Sequence, residues 1–195
     1  MNQISKGDQY PLPNISDVLD YLNGSRYFSS LDLKSGYYQV EVAEEDQEKT
    51  AFCTPDGLWE FKVMPFGLKG APATFQRTMD VLLSGLKYNI CLCYLDDILV
   101  FSPDFESHLS RLTQEFHRIR IANLKFNPNK CLFALQEVTF LGFKVTHEGQ
   151  LPAEEKVRAV RDIPVPKTVK QVRGFVGLAS FYRKFVEDFA KIAAP

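Results

Sequence analysis

The sequence predicts an α+β fold, on three observations. Two stretches rich in strand-forming residues fold back around turn signals, an apolar run carries an acidic pair near its middle, and helical patterns follow without strictly alternating with strands. Strict alternation would have indicated a parallel βαβ architecture.

Asn14 to Leu22 reads as a short helix, opened by Asn14 as its cap and closed by Asn23 and Gly24. Arg26 to Asp32 follows as a strand, so Asp32 stands at a strand end. A turn at Pro55, Asp56 and Gly57 separates Thr50 to Cys53 from Leu58 to Val63, two strand-like flanks of a hairpin. After the stretch Phe66 to Ala71, Pro72 suits a first helical position, where its missing N–H costs nothing, and the helix runs through Phe75, Met79 and Leu82 to Gly85.

Ile90 to Phe101 reads as two strands folded at Asp96 and Asp97. Ser102 and Pro103 open a long amphipathic helix with Leu109, Leu112, Phe116 and Ile119 on its core-facing stripe. Cys131 to Leu135 and Val138 to Val145 read as a second hairpin, and Pro152 to Val160 and Thr168 to Phe185 as two helices. Thr168 with Gln171 forms a capping-box pattern at the second of these. There is no internal repeat and no low-complexity tract.

With 195 residues, 45% hydrophobic and 13% aromatic, the chain has ample material for a packed core. Its longest apolar run is interrupted by two aspartates and falls short of the roughly 20 residues a membrane span needs, so no membrane role is expected. The first ten residues show neither an export signal nor a transit pattern. Four cysteines without a CxxC pair, remote in sequence from the three histidines, point away from zinc and disulfides. Cys91 and Cys93 read as small buried strand residues, and an intracellular setting follows. The net charge of −1 is uneven: residues 152–195 hold nine Lys and Arg against five Asp and Glu, a balance of +4 that leaves −5 for the rest. That is either a basic attachment facing phosphates or a solvated helical face.

The strongest local signal is Tyr94-Leu95-Asp96-Asp97, two adjacent carboxylates in an apolar run with no Lys or Arg. Unpaired charges buried there would be costly, and a divalent cation is the natural compensation. Hard carboxylate oxygens suit Mg²⁺ or Mn²⁺. A solvated turn is the plain alternative. Asp32, at another strand end, adds a third carboxylate that could meet the pair on one sheet, the constellation two-metal phosphoryl transfer uses.

At this point the sequence resembles a known family. Phe28 to Gln39 (FSSLDLKSGYYQ), Met64 to Gln76 (MPFGLKGAPATFQ), Tyr94 to Asp97 (YLDD), Leu124 to Cys131 (LKFNPNKC) and Phe140 to Val145 (FLGFKV) resemble, in order and spacing, the polymerase motifs of gypsy-type long-terminal-repeat retrotransposon reverse transcriptases. The likeness extends from Tyr10 to Leu22 at one end to Val172 to Phe185 at the other. It implies a right-hand polymerase architecture: a palm with an antiparallel sheet and interleaved partial fingers over residues 1–147, the fingers at about 40–66, and a helical thumb over 148–195.

The resemblance implies that Asp32 and Asp96 bind two Mg²⁺ ions, with Asp97 beside them and the Leu33 carbonyl as a further ligand. Tyr37 matches the bulky residue that excludes a ribose 2′-hydroxyl; by its pattern alone it would be a half-buried strand aromatic. Phe66, where retroviral relatives carry glutamine, belongs with Gly67, Gly70 and Pro72 to the segment that approaches the incoming dNTP. Lys130 matches the lysine proposed as proton donor to pyrophosphate, with an ordinary exposed lysine as the alternative. Tyr94 and the primer-grip pair Leu141 and Gly142 are expected against the primer. Lys170, Arg173, Gly177, Phe181 and Lys184 would share a helix face toward a duplex minor groove, with Val172, Phe175, Val176 and Ala179 on the docking face.

The implied partners are an RNA or DNA template with its DNA primer, and dNTPs, in the cytoplasm, the nucleus or an element's particle. Family members carry a basic fingers segment before the point matching Asn2 and an RNase H domain after the thumb, and this sequence is expected to lack both. A noncatalytic remnant or host-adopted module that binds nucleic acid or a protein is therefore the competing reading. The intact set Asp32, Asp96, Asp97 and Tyr37 favours the polymerase, because a binding module has no use for clustered carboxylates near phosphates. The same Tyr37 weighs against an RNA-dependent RNA polymerase.

Overall fold

A computed structural model of the chain describes Asn2, Asp8 and residues 10–194. They form two compact units, one up to Gln136 and one from Glu137.

The first unit opens with α1 (Ile15–Asp20), capped by the Asn14 side chain, which accepts from the Ser16 amide at 3.1 Å. β1 (Tyr27–Asp32) leads into a turn of 3₁₀-helix at Gly36–Gln39 and the short α2 (Glu44–Gln47). β2 (Phe52–Thr54) and β3 (Gly57–Trp59) make the expected hairpin, with Thr54 opposite Gly57. α3 (Ala71–Leu82) is followed by β4 (Cys91–Tyr94), β5 (Asp97–Ser102), α4 (Phe105–Ile121) and β6 (Leu132–Leu135).

These strands build an antiparallel sheet in the order β4-β5-β1-β6. Register aligns Cys93, Ile98 and Leu31 in one row and Cys91, Val100 and Ser29 in another, on a single face of the pleat. With Phe75, Met79 and Leu83 from α3 and Leu112 and Ile119 from α4, most of them form the buried cluster. Leu92, Leu99 and Phe28 alternate to the opposite face and are also buried, so the sheet is covered on both sides. The terminal row, Tyr94–Asp97–Asp32, falls at the sheet end, where cover stops.

Two expectations about this unit need correction. Cys131 to Leu135 does not begin a hairpin: Leu132 and Leu135 pair with Ser30 and Phe28 of β1, extending the sheet. The buried stripe of α4 is His108, Leu112, Glu115 and Ile119, while Leu109 is exposed and Phe116 packs against Phe126 and Phe133. Hydrophobic spacing misassigned this face because two polar residues occupy it. His108 sits between Ser29 Oγ at 2.7 Å and Ser102 Oγ at 2.9 Å, which satisfies both ring nitrogens in the neutral form.

The second unit holds the meander β7 (Glu137–Phe140), β8 (Phe143–Thr146) and β9 (Gly149–Pro152), then α5 (Glu154–Arg161), α6 (Val169–Phe181) and α7 (Phe189–Ile192). The β7–β8 turn falls at Leu141 and Gly142 because both take positive φ, 51° and 83°. The capping box of α6 is formed as expected, Thr168 accepting from Gln171 N and Gln171 from Thr168 N. That helix ends at Phe181, four residues before the expected Phe185, and a 3₁₀ turn at Arg183–Phe185 follows.

Candidate active site

Two strands and one turn bring three carboxylates to one end of the first unit's sheet. Asp32 closes β1 and Asp97 opens β5 directly opposite it, so their side chains rise from the same face as cross-strand neighbours. Asp96 lies in the two-residue turn Leu95–Asp96, one residue earlier than the fold point expected at Asp96 and Asp97. Leu95 adopts φ +53°, a left-handed conformation that an L side chain seldom takes.

The electrostatics are unfavourable without a cation. Burial, then the charges of Asp97 and Asp32, hold the Asp96 carboxyl above its usual range, with Lys130 easing the effect. Burial of its carboxyl group and then Asp32 do the same to Asp97, again eased by Lys130. Asp96 Oδ1 is buried with no hydrogen-bond partner among the described residues. Lys130 reaches the cluster with Nζ 3.4 Å from Asp32 Oδ2, its side chain mostly in solvent.

This donor set suits a hard divalent cation: it is all oxygen, it carries excess negative charge, and one oxygen is left unsatisfied. Among the described residues, no group of three or more His, Cys, Asp or Glu is placed to hold a metal ion by itself. Mg²⁺ is commonly held by one or two carboxylates together with substrate phosphates. The segment after Asp32 is tied to the LKFNPNKC stretch, Lys34 N donating to Lys125 O at 2.9 Å and Asn127 N to Asp32 O at 2.8 Å. These bonds flank the Leu33–Phe126 bridge and do not engage the Leu33 carbonyl.

Around the acids the structure gathers several of the expected nucleotide-facing residues. The Tyr37 ring is 5.0 Å from that of Phe66 and 5.2 Å from that of Phe75, and partial burial followed by Asp96 raises its hydroxyl pKa. Gly67 takes φ +87°, and Asn2 brackets its loop, donating to Gly67 O at 2.7 Å and accepting from Lys69 N at 2.9 Å. Gly70 caps α3 without a side chain. The amide of Ala71 is taken by Leu68 O at 3.1 Å and Pro72 has none, so this helix entry offers fewer free donors than a generic N-terminus. Tyr94 is half-buried opposite Asp97.

Three residues went without a role in the sequence reading. Gly36 is buried, and a Cβ on it would come within 2.8 Å of both Asp96 Oδ1 and Phe75 Cζ. Phe75 forms the floor beneath Tyr37. Gln76 is fully buried and accepts from the Leu95 amide at 2.7 Å. The available signal was a glutamine inside the apolar stripe Phe75, Met79, Leu83, since a buried polar residue is the informative exception.

In the second unit, Leu141 and Gly142 form the half-buried bend of a hairpin. A Cβ on Gly142 would meet Tyr182 Oη at 3.6 Å, so its φ rather than lack of room calls for glycine. On α6, Lys170, Arg173 and Gly177 are exposed, while Phe175, Val176 and Ala179 are half-buried. Val172 is exposed too, which narrows the docking stripe. Phe181 stacks 5.5 Å from Phe143. Lys184 lies beyond the helix, its ammonium 5.0 Å from the Phe143 ring and 3.1 Å from Gln150 Oε1. The two are therefore drawn together onto Phe143 instead of continuing one helical face.

Residues 1–145 match the family described as reverse transcriptase (RNA-dependent DNA polymerase). The whole chain is 44% identical to part of a retrovirus-related Pol polyprotein from transposon 297 and 40% identical to part of that from transposon gypsy, both of Drosophila melanogaster. It spans 18% and 19% of their lengths. Among solved structures, a foamy viral protease-reverse transcriptase in complex with double-stranded DNA shares 27% identity at a TM-score of 0.88, over 98% of this chain and 33% of that one. The foamy viral enzyme in complex with an RNA/DNA hybrid gives 0.81, over 98% and 26%. No helix among the described residues is long and apolar enough to cross a membrane.

Proposed function

The chain belongs to the reverse transcriptase (RNA-dependent DNA polymerase) family, and from that premise we propose that it carries the polymerase centre of a retrotransposon Pol polyprotein. The reaction is nucleotidyl transfer from a dNTP to a primer 3′-hydroxyl over an RNA or DNA template. One observation carries the reading. Asp32 and Asp97 face each other across the end of a covered sheet, and the adjoining turn buries an Asp96 oxygen that no donor among the described residues satisfies.

Asp32 and Asp96 would hold two Mg²⁺ ions, with Asp97 beside them and the Leu33 carbonyl as a further ligand; Mn²⁺ suits the same oxygens. When bound, such ions lower the pKa of the primer hydroxyl and neutralise charge on the triphosphate. The protein's own contribution is positioning. The β1–β5 register fixes the spacing of Asp32 and Asp97, and Gly36 leaves the space that the Asp96 carboxylate occupies. Tyr37, backed by Phe66 and Phe75, would stand against the sugar and exclude a 2′-hydroxyl by clash. Lys130 would leave Asp32 and give a proton to departing pyrophosphate, a role that its solvent-exposed chain allows. In the second unit, Leu141, Gly142 and the exposed Lys170, Arg173 and Gly177 would contact primer and template, with Phe181 and Lys184 as a neighbouring contact on Phe143.

Primer extension on RNA and DNA templates, using both this chain and a longer Pol segment that contains it, tests the proposal. Templated dNTP addition that stops on chelation of divalent metal supports it. Tight hybrid binding by the longer segment with no extension under any divalent metal would indicate a binding module instead.

A further inference from the structure

Gln76 and Asp80 lie one turn apart on α3 and share a face. The Gln76 amide is committed at both ends: Nε2 donates to Asp80 Oδ1 at 2.9 Å and to Cys93 O at 3.4 Å, and Oε1 accepts from Leu95 N at 2.7 Å. Asp80 is itself anchored, by the Tyr10 hydroxyl on Oδ2 at 2.8 Å and by the Lys87 ammonium on Oδ1. Leu95 is the left-handed residue of the acidic turn, and Asp96 comes next.

The two ends of a glutamine amide have nearly the same shape but opposite hydrogen-bonding character. Turned by 180°, Gln76 would set its oxygen against the Asp80 carboxylate and its NH₂ against the Leu95 N–H, two repulsive contacts in a buried place. The charge on Asp80 therefore decides which way the amide points. The amide in turn supplies the acceptor that holds Leu95 in a conformation it seldom adopts alone. We propose that Asp80, acting through Gln76, is a positioning residue for Asp96: the pair forms a hydrogen-bond relay along one face of α3 that sets the acidic turn. Its effect on catalysis rests on the polymerase reading, whereas its effect on the turn does not.

The test moves the negative charge within the relay. Gln76→Glu sets two carboxylates face to face. It should lower kcat for nucleotide addition by about 10- to 100-fold, as small misplacements of catalytic groups do, with the dNTP KM and hybrid affinity little changed. Adding Asp80→Asn should recover most of that loss, because the new NH₂ can donate to Glu at 76 while the other oxygen of that carboxylate still accepts from Leu95. Gln76→Met keeps the volume and removes the acceptor, so it should lose kcat while melting near wild type. Amide hydrogen exchange supplies a readout independent of activity. The Leu95 N–H should exchange slowly in wild type and in the double variant, and fast in Gln76→Met. Equal Leu95 protection in wild type and Gln76→Met, or a double variant no better than Gln76→Glu, would overturn the relay. If the wild-type longer chain extends no primer, the polymerase reading falls, and the exchange pattern alone decides the relay.

Discussion

The carboxylate of Asp96 rests against the bare Cα of Gly36: a methyl group there would come within 2.8 Å of Oδ1. The glycine of the LKSGYY stretch is thus a steric provision for a carboxylate sixty residues on. Gly36→Val should push Asp96 and Phe75 aside. It should lower kcat by about 100-fold, the scale of an ångström's misplacement, and destabilise the fold by about 1–3 kcal/mol through overpacking. Steady-state extension alongside thermal melts checks both effects, and an unchanged kcat would remove Gly36 from the site.

Tyr37→Ala should admit ribonucleotides with little loss of deoxynucleotide use, since it removes a clash and not an attraction. Loss of the ring contacts to Phe66 and Phe75 should cost about 1–3 kcal/mol of stability. Single-nucleotide addition with paired dNTP and rNTP measures the ratio, and unchanged sugar discrimination refutes the gate.

Glu115 supplies a pH signature. It is fully buried and neither carboxylate oxygen has a hydrogen-bond partner among the described residues. Burial raises its pKa from 4.5 to about 7, eased by the Cys91 thiol and by Arg118. A folded pKa above the unfolded one gives stability that is complete below about pH 4.5 and lost as pH rises through about 7. Glu115→Gln should therefore be the more stable protein at pH 8, by about 1–3 kcal/mol. His108 works the other way, because burial and then Arg111 lower its pKa below 6.5, so its contribution is lost as pH falls below that value. In Glu115→Gln the acid-side loss from His108 should remain while the alkaline-side loss disappears. Denaturant melts from pH 5 to 8 test this; a wild-type-like decline toward pH 8 in the variant would contradict it.

On α6, Arg173 is exposed and Val176 half-buried. Arg173→Ala should weaken hybrid binding and reduce the salt slope by about 0.7–0.9, one phosphate contact's worth of released counterion, with the melt unchanged. Val176→Asp should cost about 1–3 kcal/mol by placing a charge against the packed side. An early melt for Arg173→Ala with an unchanged salt slope would show that the helix presents another face to nucleic acid.

Much of this architecture is legible locally. Asn14 and the Thr168–Gln171 box mark helix starts because capping is settled within four residues, and the acids of YLDD stand out because an apolar run surrounds them. What escaped the sequence depends on distant partners. The buried face of α4 includes His108 and Glu115, and His108 is tolerable there only because Ser29 and Ser102 receive it. β6 joins β1 across about a hundred residues, and it carries a positive φ at Ala134, a residue type that does not advertise one. Gln76 stands out locally as a polar residue in an apolar stripe, but its role comes through Leu95, which lies beyond its own helix.

The central claim is that Asp32 and Asp96 act as one metal-dependent unit. Single-turnover extension of a primer on an RNA template, with Mg²⁺ and a Pol segment long enough to be active, compares Asp32→Asn, Asp96→Asn and the double variant directly. The account predicts that each single change abolishes addition while the melt holds, and that the double is little worse than either, as for residues that act as a unit. Retained extension in Asp96→Asn, or losses that simply add in the double, would contradict it.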